Sequence, residues 1–206
     1  MATTASTPTD LEVLADAPAP LPVRPRTLLV GVTLTGVACA AALFGLVALY
    51  AQERSQALAD TGSWLPEDTV LPLTPGNMGF LTLLMSAVTA AWAVYALRND
   101  DRAHAYVALA VTLLFGVAFI TDTAYLWQQM NLGIRDSLAA VLVYAITGGH
   151  VAMTVGGMLF LAVMGFRALG GQLTGRQAEG MYAAVLFWLI TIGVYSVVWY
   201  AIYITK

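Results

Sequence analysis

Five stretches of roughly twenty residues run through this chain with charged side chains at their ends or absent, apart from Asp122 in the third. About twenty apolar residues at 1.5 Å rise each are what a helix needs to cross the hydrocarbon of a bilayer. Inside hydrocarbon no water satisfies the backbone, and a helix satisfies it within the segment. Composition agrees: 59% of the 206 residues are hydrophobic and only 10% are charged, against roughly 25% charged in a soluble domain. The fold class read here is all-α, an integral membrane bundle of five transmembrane helices.

The spans are placed at about 27–50, 77–97, 104–127, 138–166 and 179–205. The expected domains are a disordered tail over 1–25 and a five-helix transmembrane domain over 26–206. The tail is polar and acidic (Asp10, Glu12, Asp16), has prolines up to Pro25, and lacks a signal peptide's pattern. After span one, Glu53 and Arg54 close the apolar run, and a loop with Trp64, Pro66, Glu67, Asp68, Pro72 and Pro75 lies at the membrane surface. Asn77 is expected to cap span two. Arg98, Asn99, Asp100, Asp101 and Arg102 form a charged turn before span three. Thr174 and Gln177 have capping-box spacing ahead of span five.

Basic residues set the orientation. With the N-terminus cytoplasmic, Arg24, Arg26, Arg98, Arg102, Arg167 and Arg176 fall inside and only Arg54, Arg135 and Lys206 outside, as the positive-inside rule prefers. Tyr50, Tyr125, Trp127, Trp199, Tyr200 and Tyr203 then gather at the outer interface. Five spans place the C-terminus outside. The net charge of −3 argues against a nucleic-acid partner. The single cysteine, Cys39, makes no internal disulfide and too small a ligand set for a thiolate metal site.

Few residues within the spans could carry chemistry. Asp122 lies about one turn inside the Tyr125/Trp127 belt of span three. It reads either as a proton-handling or lipid-headgroup group, or as an acid that reaches water or a neighbouring hydroxyl. His150 sits mid-span four, after Gly148-Gly149 and before Gly156-Gly157. Those four glycines let a neighbouring helix approach, so His150 reads as an interhelical hydrogen-bonding group before it reads as a ligand. A bis-histidine haem between His104 and His150 is disfavoured. His104 begins span three, whereas His150 lies some 12 residues into span four, about 18 Å deep at the helical rise. No nucleophile triad, phosphate loop or zinc signature stands in the chain, so no catalytic residue, cofactor site or metal site is assigned.

Taken together, the layout resembles the short five-helix form of subunit III of the haem-copper respiratory oxidases, over about residues 27–206. The likeness rests on Ala48-Leu49-Tyr50 leading to the Trp64/Pro66 loop, and on the Ala96-Leu97-Arg98-Asn99-Asp100 turn. It continues in Tyr106-Val107 with Asp122 beyond, in Thr147-Gly148-Gly149-His150 followed by Gly156-Gly157, and in Trp188 with its spacing to the end. Cys39, Met153, Leu189 and Ile192 stand where the family commonly has polar groups.

The resemblance implies an accessory subunit without its own redox centre. Haem and copper would reside in the partner catalytic subunit I. The chain would pack on that subunit and the other oxidase subunits in a bacterial cytoplasmic membrane, bind phospholipid in a cleft, and support proton uptake. His150 and Asp122 would line the cleft. Asp100, Asp101 and Glu179 would form a proton-collecting surface, or simply solvated loops. The accessory subunit of nitric oxide reductase, a small transporter and an assembly factor are the other readings.

Overall fold

The computed structural model describes residues 26–66, 69–171 and 178–205. The tail over 1–25, the Thr174/Gln177 pair, the loop acids Glu67 and Asp68, and Arg24, Arg176 and Lys206 from the orientation argument lie outside them. Among the described residues there are five α-helices: α1 (Thr27–Asp60), α2 (Leu73–Arg98), α3 (Arg102–Gln129), α4 (Leu138–Leu169) and α5 (Glu179–Trp199). A π-helical turn, Tyr200–Ile204, continues α5. Each of the five is long and apolar enough to cross a bilayer. All five leave large apolar side chains exposed, among them Leu34, Leu81, Leu114, Leu159 and Val197. A surface so apolar is suited to lipid.

The helix limits follow local chemistry. α1 runs on to Asp60 because Gln52, Glu53, Arg54, Ala57 and Leu58 are strong helix formers that propagate the ladder beyond the apolar run. Asn77 is not a cap. α2 begins at Leu73 behind Pro72, and Pro75 is tolerated in the first turn, where backbone N–H groups have no helical partner. The Asn77 side chain instead accepts from Trp199 Nε1 at 2.9 Å. Asp100 adopts φ 55 in the α2–α3 turn, a left-handed conformation that Asp and Asn visit more readily than most residues. Asp101 and Ser137 cap α3 and α4, accepting from His104 N–H at 3.2 Å and Ala140 N–H at 3.1 Å.

α2 and α3 form an antiparallel hairpin, and α5 lies against α1, α2 and α4. α4 in turn touches α1 and α3. α5 is therefore the most enclosed helix and α1 the most exposed. Small and hydroxyl-bearing residues line the interior. Ser86, Thr112, Thr147, Thr154 and Thr191 are buried, and each hydroxyl donates to a carbonyl three or four residues earlier.

Candidate functional site

Trp188 organises the middle of the bundle. Its indole N–H donates to Ser86 Oγ of α2 at 3.0 Å. A Cβ added at Gly157 of α4 would come within 3.0 Å of Trp188 Cε3, and one at Gly116 of α3 within 3.1 Å of Cη2. One side chain of α5 thus touches three other helices, and glycine makes two of those contacts possible. Gly149 faces α1, where an added Cβ would lie 2.9 Å from Leu43 Cδ2. At Gly148 and Gly156 an added Cβ would meet nothing within 4 Å. Within this chain the close approach on α4 therefore falls on Gly149 and Gly157.

His150 is fully enclosed, at 1% exposure. Its Nε2 lies 3.0 Å from the Thr191 carbonyl of α5, so the bond fixes the proton on Nε2. Nδ1 is buried without a hydrogen-bond partner. The ring packs edge-on to Phe119, with centroids 5.3 Å apart, and against Tyr195 at 4.9 Å. Thr147, one turn earlier, accepts from Trp127 Nε1 of α3 at 3.0 Å. His150 and Thr147 thus tie α4 to α5 and to α3.

Asp122 lies on the same cluster but toward the end where α3 finishes. It is partly exposed. Gly79 of α2 makes room for it: an added Cβ there would stand 2.9 Å from Asp122 Oδ2 and 3.2 Å from the Tyr195 hydroxyl. Tyr195 donates to the Gly76 carbonyl over 3.4 Å. Phe119 lies between Asp122 and His150 in this arrangement, since it contacts both the Gly79 position and the imidazole. The two polar groups share neighbours but not an environment: His150 is closed in, and only Asp122 keeps an open side.

The three acids predicted for the opposite end are also engaged. Asp101 Oδ2 lies 2.7 Å from His104 Nδ1, while its other oxygen accepts the His104 backbone amide. That amide, above all, holds the Asp101 carboxyl below the ordinary carboxylate range. Glu179 accepts from the Leu29 N–H of α1 at 3.3 Å, which ties the starts of α1 and α5 together. Asp100 stands in the left-handed turn beside Asp101. Between α2 and α5, near this end, a groove of about 280 Å³ is lined by Ala91, Val94, Tyr182, Val185, Leu186 and Leu189. It is apolar, and neither Asp122 nor His150 lines it. Among the described residues, no three His, Cys, Asp or Glu side chains converge as a metal site.

The family profile for cytochrome c oxidase subunit III matches residues 28–206, the whole of this bundle. The chain belongs to the cytochrome c oxidase subunit III family. It is a multi-pass membrane member of that respiratory-chain family. Relatives agree at a distance. The chain is 34% identical over 132 residues to "Probable cytochrome c oxidase subunit 3" of Rickettsia conorii, covering 62% of this chain and 46% of that protein. It is 31% identical over 147 residues to "Cytochrome c oxidase subunit 3" of Sus scrofa, covering 70% and 54%, and likewise to that of Bos taurus. The chain spans about half the length of the curated relatives it matches. Of the residues that carried the resemblance, Thr147, His150, Gly157 and Trp188 all prove to be interhelical contacts. The sequence reading missed Ser86, Gly116 and Thr191, the partners of Trp188 and His150, because small residues in an apolar run carry no signal of which face they occupy.

Proposed function

We propose that this chain is the non-catalytic accessory subunit III of a haem-copper terminal oxidase, a cytochrome c oxidase, in a bacterial cytoplasmic membrane. The observation that carries the reading is the family match along the entire helical bundle, residues 28–206. In this reading residues 26–206 are the membrane domain, residues 1–25 a tail, the N-terminus cytoplasmic and the C-terminus outside. The chain packs on catalytic subunit I, which holds the haem and copper, and steadies the complex.

Phospholipid binding and support of proton uptake belong to the same proposal. Asp122 is partly exposed, whereas His150 is buried, and is the better of the two intramembrane polar groups to meet a headgroup. His150, bonded to Thr191 and shielded by Phe119 and Tyr195, orders the helices behind it. Asp100 in the α2–α3 turn, Asp101 at the cap of α3 and Glu179 at the start of α5 lie at one end of the bundle, where carboxylates can collect protons while Asp101 also caps α3 and Glu179 holds α1 to α5.

The test is a tagged chain extracted gently from its native membrane and a reduced-minus-oxidised haem spectrum of what accompanies it. Haem bands together with a large many-helix subunit are expected. A haem set characteristic of nitric oxide reductase would move the chain to that complex. A colourless chain purifying alone would overturn the reading in favour of a transporter or an assembly factor.

A further inference from the structure

Three hydrogen-bonding groups lack partners toward the C-terminal end of α1: Tyr50 and Arg54 on the helix and Trp64 in the loop that follows it. Tyr50 is 1% exposed, yet its hydroxyl makes no hydrogen bond. Arg54, one helical turn on and on the same face, has a buried Nε–H without an acceptor. Trp64 folds back from the following loop and sets its ring edge-on to Tyr50, with centroids 5.5 Å apart. Its indole N–H is also buried and unpaired. The Trp64 N–H and the Tyr50 hydroxyl approach each other without hydrogen-bond geometry, and the Arg54 charge lies within electrostatic reach of the phenol.

Buried donors without acceptors are costly, and most so when one is a guanidinium. Two of these groups can only donate, the third can donate, and one carries a full positive charge. The complementary ligand is therefore an anion with several acceptor oxygens. Guanidinium, indole N–H and phenol together match a phosphate group. Location selects its source. The apolar run of α1 ends at Ala51, with Gln52, Glu53 and Arg54 next. Tyr203 and Trp199 stand at the same end of the bundle, an aromatic belt of the kind that marks headgroup depth. Phe44 and Leu49, in the two turns before Tyr50, are exposed apolar side chains along which an acyl chain can lie.

We propose that Tyr50, Arg54 and Trp64 form a binding site for the phosphodiester of a membrane phospholipid at the C-terminal end of α1. The site is separate from the α2–α5 groove and from Asp122. It deepens the proposed lipid binding and rests on the membrane reading, but not on the identity of the oxidase partner. A failure here leaves the haem-spectrum test untouched.

The test uses the full chain, in the assembly with which it purifies, stripped of lipid by detergent exchange. Dioleoyl-phosphatidylglycerol, dioleoylglycerol and inorganic phosphate are titrated separately, read as bound lipid by native mass spectrometry and as a shift in melting temperature. Wild type should bind phosphatidylglycerol and be stabilised by it, with dioleoylglycerol and inorganic phosphate giving neither effect. Arg54→Gln should bind it about tenfold more weakly, the loss that goes with one charge-assisted hydrogen bond. Tyr50→Phe and Trp64→Phe each remove one donor and keep a ring in place, so they should weaken binding even if Arg54→Gln does not fold. Equal binding by wild type and all three variants would overturn the site. A full effect from inorganic phosphate alone would overturn the lipid as its source. Destabilisation of Glu67→Gln or Asp68→Asn equal to that of Arg54→Gln, with lipid binding unchanged, would assign Arg54 to the loop's own acids instead.

Discussion

Trp188 and Ser86 meet across α2 and α5, the indole N–H donating to the same hydroxyl that donates to the Leu83 carbonyl of its own helix, so the interhelical bond can be measured as a pair. Removing one partner strands the other in an apolar interior. A double-mutant cycle of Trp188→Phe and Ser86→Ala, followed by thermal unfolding in detergent, should give a coupling of about 0.6 kcal/mol and no more than about 1.7, the range found for bonds between membrane helices. Asp101 acts where water is present and so responds to pH. Its carboxyl ionises below the ordinary range because the folded chain donates the His104 amide to it. The stabilisation is then complete above the ordinary carboxylate range and is lost as pH falls through the lowered value. Wild type should melt above Asp101→Ala at neutral pH, and the two curves should converge as acid protonates the cap. A constant difference down to strong acid would sink that account. Asp101 was legible as part of a charged turn, because hydrocarbon cannot hold such a turn. Its capping bond was not, since several acids in the turn could have made it.

At the scale of the helix, the two glycine pairs of α4 separate packing from composition. Gly156 and Gly157 are neighbours in sequence, but only Gly157 faces the Trp188 ring. A methyl at 157 must push α4 away from α5, at a cost of about 1–3 kcal/mol for overfilling a packed interior. The same methyl at 156 meets open space and should stabilise the helix by up to about 1 kcal/mol through alanine's propensity. Gly157→Ala should therefore lower the melting temperature and Gly156→Ala leave it level or raise it. If both lowered it equally, the contact with Trp188 would not be what matters. The five helices were legible because a continuous run of about twenty apolar residues has the length and composition of a membrane-crossing helix. Their inward faces were not, because leucine suits both lipid and interior. The extension of α1 past Tyr50 was missed for a related reason: the apolar run marks the membrane, whereas Glu53, Arg54 and Ala57 carry the helix itself onward.

For the whole molecule, five crossings put the α2–α3 and α4–α5 turns at one end and the α1–α2 and α3–α4 loops at the other. The proposed orientation, with the first of these ends cytoplasmic, rests on charge. Arg26, Arg98, Arg102 and Arg167 stand at the first end, and Arg54 and Arg135 at the second. Basic residues close to helix ends resist translocation, and this bias decides orientation in short-looped proteins. The chain allows a direct measurement, because its single cysteine, Cys39, lies within α1 and can be replaced by alanine to give a cysteine-free background. A cysteine introduced in place of Asp100 or of Arg135 then reports one end each. Both positions are exposed, so a membrane-impermeant maleimide can reach either from its own side. In intact cells Arg135→Cys should label and Asp100→Cys should stay unlabelled until the membrane is permeabilised. The inverse pattern would place the N-terminus outside and remove Asp100, Asp101 and Glu179 from any role in taking up cytoplasmic protons. It would also move the Tyr50/Arg54/Trp64 cluster to the cytoplasmic leaflet, where its chemistry would be unchanged but its lipid would be drawn from the opposite face of the membrane.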